Sequence, residues 1–201
     1  MIKILNSDRV VLIGKTGSGK TTLVKYLLPR INRVIAIDPK HTLKMEGFKS
    51  SWRIPRFSNR FQIIVRPKRN DDEKLYDLIL AANKARNVTL YVDELATLAD
   101  VFPESTALLA DIARTGREKR VALWTATQRP RNIPRVFLTE TEIFFVFRLR
   151  SGDDRMYVKG YAGDEVIDQI PSRQFWYIKD EDESPSLLTL DLGSNKIMKI
   201  K

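Results

Sequence analysis

Residues 9–22 read RVVLIGKTGSGKTT: a short apolar run, a glycine-rich turn, and the start of a helical pattern. The apolar run (Val10, Val11, Leu12, Ile13) has the length and composition of a buried strand, and it stops at Gly14. The turn, G-K-T-G-S-G-K-T, matches the phosphate-binding pattern G-x-x-x-x-G-K-[ST] at every defined position. Such a loop needs glycine because its backbone N–H groups must converge on a phosphate, and side chains would obstruct that approach. Gly14, Lys15, Thr16, Gly17, Ser18, Gly19, Lys20, Thr21 and Thr22 are therefore the candidate cradle for a nucleoside triphosphate. Lys20 supplies charge for the outer phosphates, Thr21 a hydroxyl for Mg²⁺, and the helix that follows points its positive end at the anion.

Working outward, the pattern alternates. Residues 21–28 continue a helix that Pro29 helps to end, and RVIAID at 33–38 is a second buried strand closed by an Asp-Pro-Lys turn. The stretch 41–59 has no clear period and reads as irregular. FQIIVRP (61–67) is a strand, and an amphipathic helix follows over about 71–86. VTLYV leads into Asp93-Glu94, a helix is expected over about 104–119, and VALWTA (121–126) is the next strand. TEIFFVFRL (141–149) is strongly strand-like, and the next stretch is mostly helical with a break near 160–163. QFWYIKD and SLLTLDL read as closing strands, a hairpin across DEDESPS, while MIKILNSD at the start is an edge strand or an ordered arm. Alternating strands and helices, with strands apolar throughout, predict a mostly parallel central sheet covered on both faces: an α/β, three-layer P-loop NTPase. No repeat or low-complexity linker interrupts it, so one domain is expected over 1–201, its core at about 9–178 and a C-terminal strand segment at 179–201.

In a sheet of this kind, ligands bind at the carboxyl ends of the strands. Asp93, Glu94 and Gln128 each fall just after a strand, and so converge on the same place as the P-loop. An acid at that position can hold Mg²⁺, and a second can orient or deprotonate an attacking water. Asp93 is accordingly the metal candidate and Glu94 the catalytic base, the alternative being an acidic cap for the next helix. Gln128 can both donate and accept, which suits a group bridging the water and the terminal phosphate; the alternative is a turn residue before Pro130. Arg114 and Arg117 stand three residues apart in ARTGREKR and are candidates for an arginine contributed to a neighbouring subunit's site, with Arg148 and Arg150 behind them. Their alternative is a solvated basic helix end.

The 201 residues carry 35 Lys and Arg against 25 Asp and Glu, a net charge of +10, which favours a polyanionic partner such as nucleic acid. The clusters Arg53-Arg56-Arg60 and Arg66-Lys68-Arg69 can either track phosphates or form a solvated face. The absence of cysteine excludes disulfides, thiolate metal sites and Cys nucleophiles. The lone His41 reads as a loop residue, and Trp52, Trp124 and Trp176 as core or interface. No run of 18 apolar residues occurs, and residues 1–5 are too short for a signal peptide, so a soluble intracellular protein without stable membrane insertion is expected.

Taken together, GKTGSGKT, the strand end IDPKH (37–41), YVDE (91–94) and TATQRP (125–130) resemble the FtsK–HerA superfamily of DNA-pumping ATPases. The short chain narrows the resemblance to the genome-packaging ATPases of membrane-containing icosahedral viruses, those of Sulfolobus turreted icosahedral viruses in particular. It covers about residues 9–178. The resemblance implies a RecA-like core assembled as a homo-oligomeric, hexameric ring around double-stranded DNA. ATP hydrolysis with Mg²⁺ would drive that DNA into a preformed viral capsid, the ring docking at a vertex or membrane protein in the host cytoplasm. It implies Lys20 and Thr21 as phosphate and metal residues, Asp93 and Glu94 as metal and water-activating acids, Gln128 as sensor, and Arg114 or Arg117 near the usual place of the trans arginine. The competing readings are a cellular HerA-like translocase acting with a nuclease, a small P-loop kinase, and a non-catalytic assembly factor.

Overall fold

The computed structural model describes residues 2, 4–5, 7–55 and 59–200. In chain order its elements are β1 (Val10–Ile13), α1 (Lys20–Leu27), β2 (Arg33–Ile37), β3 (Lys49–Ser50), β4 (Phe61–Val65), α2 (Asp72–Ala85), β5 (Val88–Val92), α3 (Leu95–Val101), α4 (Pro103–Thr115), β6 (Val121–Thr127), α5 (Val136–Thr139), β7 (Ile143–Phe147), α6 (Gly152–Ala162), β8 (Gln174–Lys179), β9 (Ser186–Asp191) and β10 (Lys196–Lys199). Among the described residues, ten strands form one sheet in the order β10-β9-β8-β7-β1-β6-β5-β2-β4-β3. From β3 to β7 every pairing is parallel; β8, β9 and β10 extend the sheet antiparallel beyond β7.

The central strands are buried along their whole length because both faces are covered. Alternate residues divide between two apolar layers, as the period of two requires. Val11, Ile13, Ile35 and Ile37 face the layer filled by Leu75, Ile79, Leu109 and Ile112 of α2 and α4. Val10, Leu12, Val34 and Ala36 face the other layer, with Leu23 and Val24 of α1. Trp124 and Trp176 lie in these cores, and Trp52 packs on one of them beneath the Lys74 ammonium, 4.1 Å from its ring centre.

Helix termini follow local chemistry. The Asp72 carboxylate, at the start of α2, accepts from the N–H groups of Glu104 (3.1 Å) and Ser105 (3.0 Å) and so caps α4 from another element. Ser151 Oγ accepts from Asp153 N at the head of α6, and Gly163, at φ 91°, ends that helix.

Several boundaries differ from the expectations. The helix expected over 104–119 stops at Thr115 and gives way to a 3₁₀ turn at 116–119, where Gly116 lies so close to β6 that a Cβ would sit 2.8 Å from the Val121 carbonyl. The seven-residue α3 and the edge strands β3 and β10 were not anticipated; each is too short to establish a period. The described residues of the N-terminal arm form no strand; Leu5 and Asp8 make a turn, and Ile2 and Ile4 pack on the α1 layer. Met1, Lys3 and Asn6 lie outside the described residues, as does Arg56 of the first basic cluster. In the second cluster, Arg66 is no free cation: it pairs with the buried Asp38 at 3.4 Å and donates to the Leu43 carbonyl at 2.9 Å. No helix among the described residues is long and apolar enough to cross a membrane.

Substituting Gly14 by alanine would place a Cβ 2.6 Å from Phe147 Cβ. The expected result is a stability loss of about 1–3 kcal/mol, read as a lower urea midpoint at unchanged slope.

Candidate nucleotide site

The position of β1 determines the site. It pairs with β6 on one side (Ile13 beside Thr127) and with β7 on the other (Ile13 beside Val146). Both ladders continue past the strand: Gly14 N donates to the Thr127 carbonyl at 3.2 Å and Lys15 N to the Arg148 carbonyl at 3.0 Å. The loop is thus anchored on both flanks before it turns. Gly17 (φ 75°) and Gly19 (φ 116°) supply the left-handed conformations that bring it round to α1. Helix α1 begins with no side-chain cap and no acid in its first turn, which leaves its N–H groups to an anion.

Lys20 is only 9% exposed. Its ammonium donates to the Gly14 carbonyl and, at 3.1 Å, to that of Lys15. Burial is the main cause that lowers its pKa from 10.5 to about 8, against the opposing pull of Glu94 and Asp93. Thr16, Gly17, Gly19, Thr21 and Thr22 line one side of a cleft of about 360 Å³; Lys40, Thr42, Asp93, Glu94, Gln128 and Arg173 contribute to the others.

Strand β5 is separated from β1 by β6, so Gln128, at the end of β6, stands between the acids and the loop. Thr16 Oγ1 donates to Gln128 Oε1 at 2.6 Å. The backbone N–H of Gln128 donates to Glu94 Oε1 at 3.0 Å, and Thr127 Oγ1 donates to the same oxygen at 3.2 Å. Lys40 Nζ donates to Glu94 Oε2 at 3.2 Å. Glu94 itself is buried and left-handed, at φ 74°. It occupies the cap position of α3, yet its side chain makes no capping hydrogen bond, so the carboxylate faces the cleft network instead of the helix. Gln128 likewise does not close the turn before Pro130; Thr127 Oγ1 does that by accepting from Arg129 N at 3.1 Å.

Asp93 Oδ1 accepts from the Tyr91 hydroxyl at 2.7 Å. Burial pushes the Asp93 pKa up, and the neighbouring Asp38 and Glu94 charges add to it, while the Tyr91 hydrogen bond and Lys20 oppose it. A cation at Asp93 would relieve that strain. Among the described residues no cluster of three or more His, Cys, Asp or Glu could cage a metal. One carboxylate and one threonine hydroxyl instead fit Mg²⁺, which retains waters and takes its remaining oxygens from phosphate.

Arg114 and Arg117 are not brought to the cleft. Arg114 pairs with Asp111 at 3.0 Å, and Arg117 with Glu142 at 3.5 Å, at the amino ends of β1 and β7, the opposite edge of the sheet. There Arg9 holds Glu142 at 2.9 Å. Burial would push the Glu142 pKa up; the Arg9 hydrogen bonds and the Arg9 and Arg117 charges outweigh it and hold it low. Arg148 flanks the loop and donates to Gln169 at 3.1 Å; Arg150 follows it at the same edge, its carbonyl accepting from Arg155. His41 is a loop residue, with its ring nitrogen 2.9 Å from the Pro67 carbonyl.

Lys40, Thr42 and Arg173 of the cleft wall, and the buried Thr127 behind Glu94, were given no role by the sequence reading. Lys40 follows β2 and so shares the ligand-binding edge, a position that topology alone marks. Thr127 lay one residue beyond the expected end of its strand. Arg173, at φ 70°, donates its N–H to the Ser18 carbonyl at 2.9 Å; it reaches the loop only because β8 adds beside β7, and no local signal announces that.

The fold is that of the P-loop ATPases. No protein-family model matches the chain. The DNA packaging ATPase of Enterobacteria phage PRD1 is 24% identical over 170 residues, covering 77% of this chain and 70% of the phage protein. Among solved structures, the genome packaging NTPase of Sulfolobus turreted icosahedral virus 2, in complex with AMPPCP, superposes with a TM-score of 0.66 at 19% identity over 98% of both chains. The cytoplasmic domain of the Thermomonospora curvata type VII secretion ATPase superposes at 0.67 with 15% identity, over 92% of this chain and 24% of its own. The expected fold class and the resemblance to viral packaging ATPases are both borne out.

Because Lys20 loses its proton more readily folded than unfolded, its buried charge costs stability at neutral pH, and the cost fades as pH rises from about 8 towards 10.5. Lys20→Met should therefore stabilise the nucleotide-free chain, by up to about 3 kcal/mol at neutral pH and by roughly half that near pH 9.5. Urea denaturation of both proteins at the two pH values measures it.

Proposed function

We propose that this chain is an ATP-driven translocase that moves double-stranded DNA into a viral particle, with residues 9–178 as its ATPase core and the C-terminal strands extending the same sheet. The observation that carries the reading is the linkage across β6: Glu94 accepts from the backbone N–H of Gln128, and the side chain of Gln128 accepts from Thr16 of the P-loop. Acid, sensor and loop are thereby joined in one hydrogen-bonded chain at one end of the sheet.

In this reading the loop N–H groups and Lys20 bind the phosphates, and Asp93 with Thr21 would hold Mg²⁺, which would supply charge neutralisation for the outer phosphates. Gln128 orients a water against the terminal phosphorus. Glu94 takes that water's proton as the new P–O bond forms and the bond to the bridging oxygen breaks, releasing ADP and phosphate. Arg173, in the cleft wall, adds a cation for the bound nucleotide. Arg114 and Arg117 enter only as residues offered to a neighbouring subunit, for which a homo-oligomeric, hexameric ring is the natural setting. The net charge of +10 and the similarity to the phage and archaeal virus packaging ATPases support DNA as the substrate and a procapsid in the host cell as the docking point.

ATP turnover measured with and without linear double-stranded DNA, at two salt concentrations, tests the motor. The expected rate is stimulated by DNA and loses that stimulation at higher salt; a rate indifferent to DNA at both salts counts against translocation. Glu94→Gln should retain ATP binding while turnover falls by about 10²–10⁴-fold. Retained turnover would remove Glu94 from the role of base.

A further inference from the structure

We propose that Lys40 is a positioning residue that reports the terminal phosphate to Glu94: it holds the carboxylate closed in the nucleotide-free chain and releases it when a triphosphate draws the ammonium away. The inference rests on the reading of the cleft as a triphosphate site. Both oxygens of Glu94 are engaged, Oε1 by Thr127 Oγ1 and Gln128 N, and Oε2 by Lys40 Nζ at 3.2 Å. Oε2 keeps room for a second hydrogen bond, but a water that donates there competes with the Lys40 ammonium for the same oxygen.

The three donors differ in their ability to leave. The Gln128 donor is backbone, and Thr127 is fully buried at the end of a strand paired on both sides. Lys40 is a flexible four-carbon stem whose side chain is 38% exposed in the cleft wall. The backbone beneath it is fixed: the buried carboxylate of Asp38 accepts from Thr42 N at 3.1 Å and Leu43 N at 2.9 Å, closing the turn that carries Lys40. Only the side chain is free to swing.

What moves it must be a stronger anion than Glu94 within its reach. A terminal phosphate carries close to two negative charges and three acceptor oxygens, against one charge on the carboxylate. A diphosphate has no phosphate at the γ position, so its terminal group lies one phosphate further from Glu94. Lys40 therefore discriminates triphosphate from diphosphate and, in doing so, leaves Oε2 to water without a competing ammonium. The Coulomb attraction given up at Glu94 is replaced at the phosphate, so the exchange costs little once the nucleotide is in place.

The test is the affinity of the full chain for AMPPCP and for ADP, each with Mg²⁺, by titration calorimetry. Lys40→Met should lower the preference for AMPPCP over ADP by about tenfold, the loss of one charge-assisted contact, with ADP affinity changed less than about twofold. Lys40→Arg should restore most of the preference. In Glu94→Gln the ammonium is no longer tethered, so the preference should rise about threefold with Lys40 present and stay unchanged in the K40M/E94Q double variant. An unaltered preference in Lys40→Met, a parallel loss of ADP affinity, or the same Glu94→Gln effect in both backgrounds would overturn the proposal. Wild-type protein that binds neither nucleotide would instead sink the reading of the cleft, and this one with it.

Discussion

A strand flanked on both sides by parallel neighbours leaves little room where it ends, and the site depends on that constraint. At Gly14 the chain leaves β1 while still bonded to the carbonyls of Thr127 on one side and, through Lys15, Arg148 on the other. Phe147 lies so close that a Cβ on residue 14 would overlap it. The loop therefore begins from a rigid origin, and its later left-handed turns at Gly17 and Gly19 are directed by that origin. A phosphate cradle made of backbone N–H groups needs such anchoring, since dipoles that must reorganise around their ligand contribute less than those already in place.

The second determinant is the insertion of β6 between β1 and β5. Were the acid-bearing strand adjacent to the P-loop strand, Gln128 at the end of β6 would not stand between the acids and the loop. With β6 between them, the carboxamide of Gln128 contacts the loop and its backbone contacts Glu94. Glu94 adopts a left-handed conformation, uncommon for a residue with a side chain, at the point where β5 turns into α3. The short helix α3 fits this geometry: it starts directly after Glu94 and buries Leu95 and Leu98 beneath the turn.

The motifs that meet at the cleft were legible because each is local. Glycines at fixed offsets, a lysine and a threonine after them, two acids after a β-branched run, and a glutamine after an apolar strand all express constraints that act within a few residues. Helix α2, with Leu75, Leu78, Ile79 and Ala82 in helical spacing, was legible for the same reason. Elements too short for a period, α3, β3 and β10, were not. Nor was the fate of the arginines: Arg66 and Arg117 read as free cations along the chain, yet each is engaged by a carboxylate far away in sequence, Asp38 and Glu142.

By itself, the order of residues determined the class of fold, the phosphate loop, the identity of the acids and the edge of the sheet at which they meet, because strand direction and local turn chemistry are enough for those. Tertiary structure decided which groups close the circuit. Lys40, Thr127 and Arg173 approach from strands that are not neighbours in sequence, and the pairing of Lys40 with Glu94 spans 54 positions. Only strand order brings such residues within hydrogen-bonding distance, and strand order is set by how the whole sheet buries its two faces.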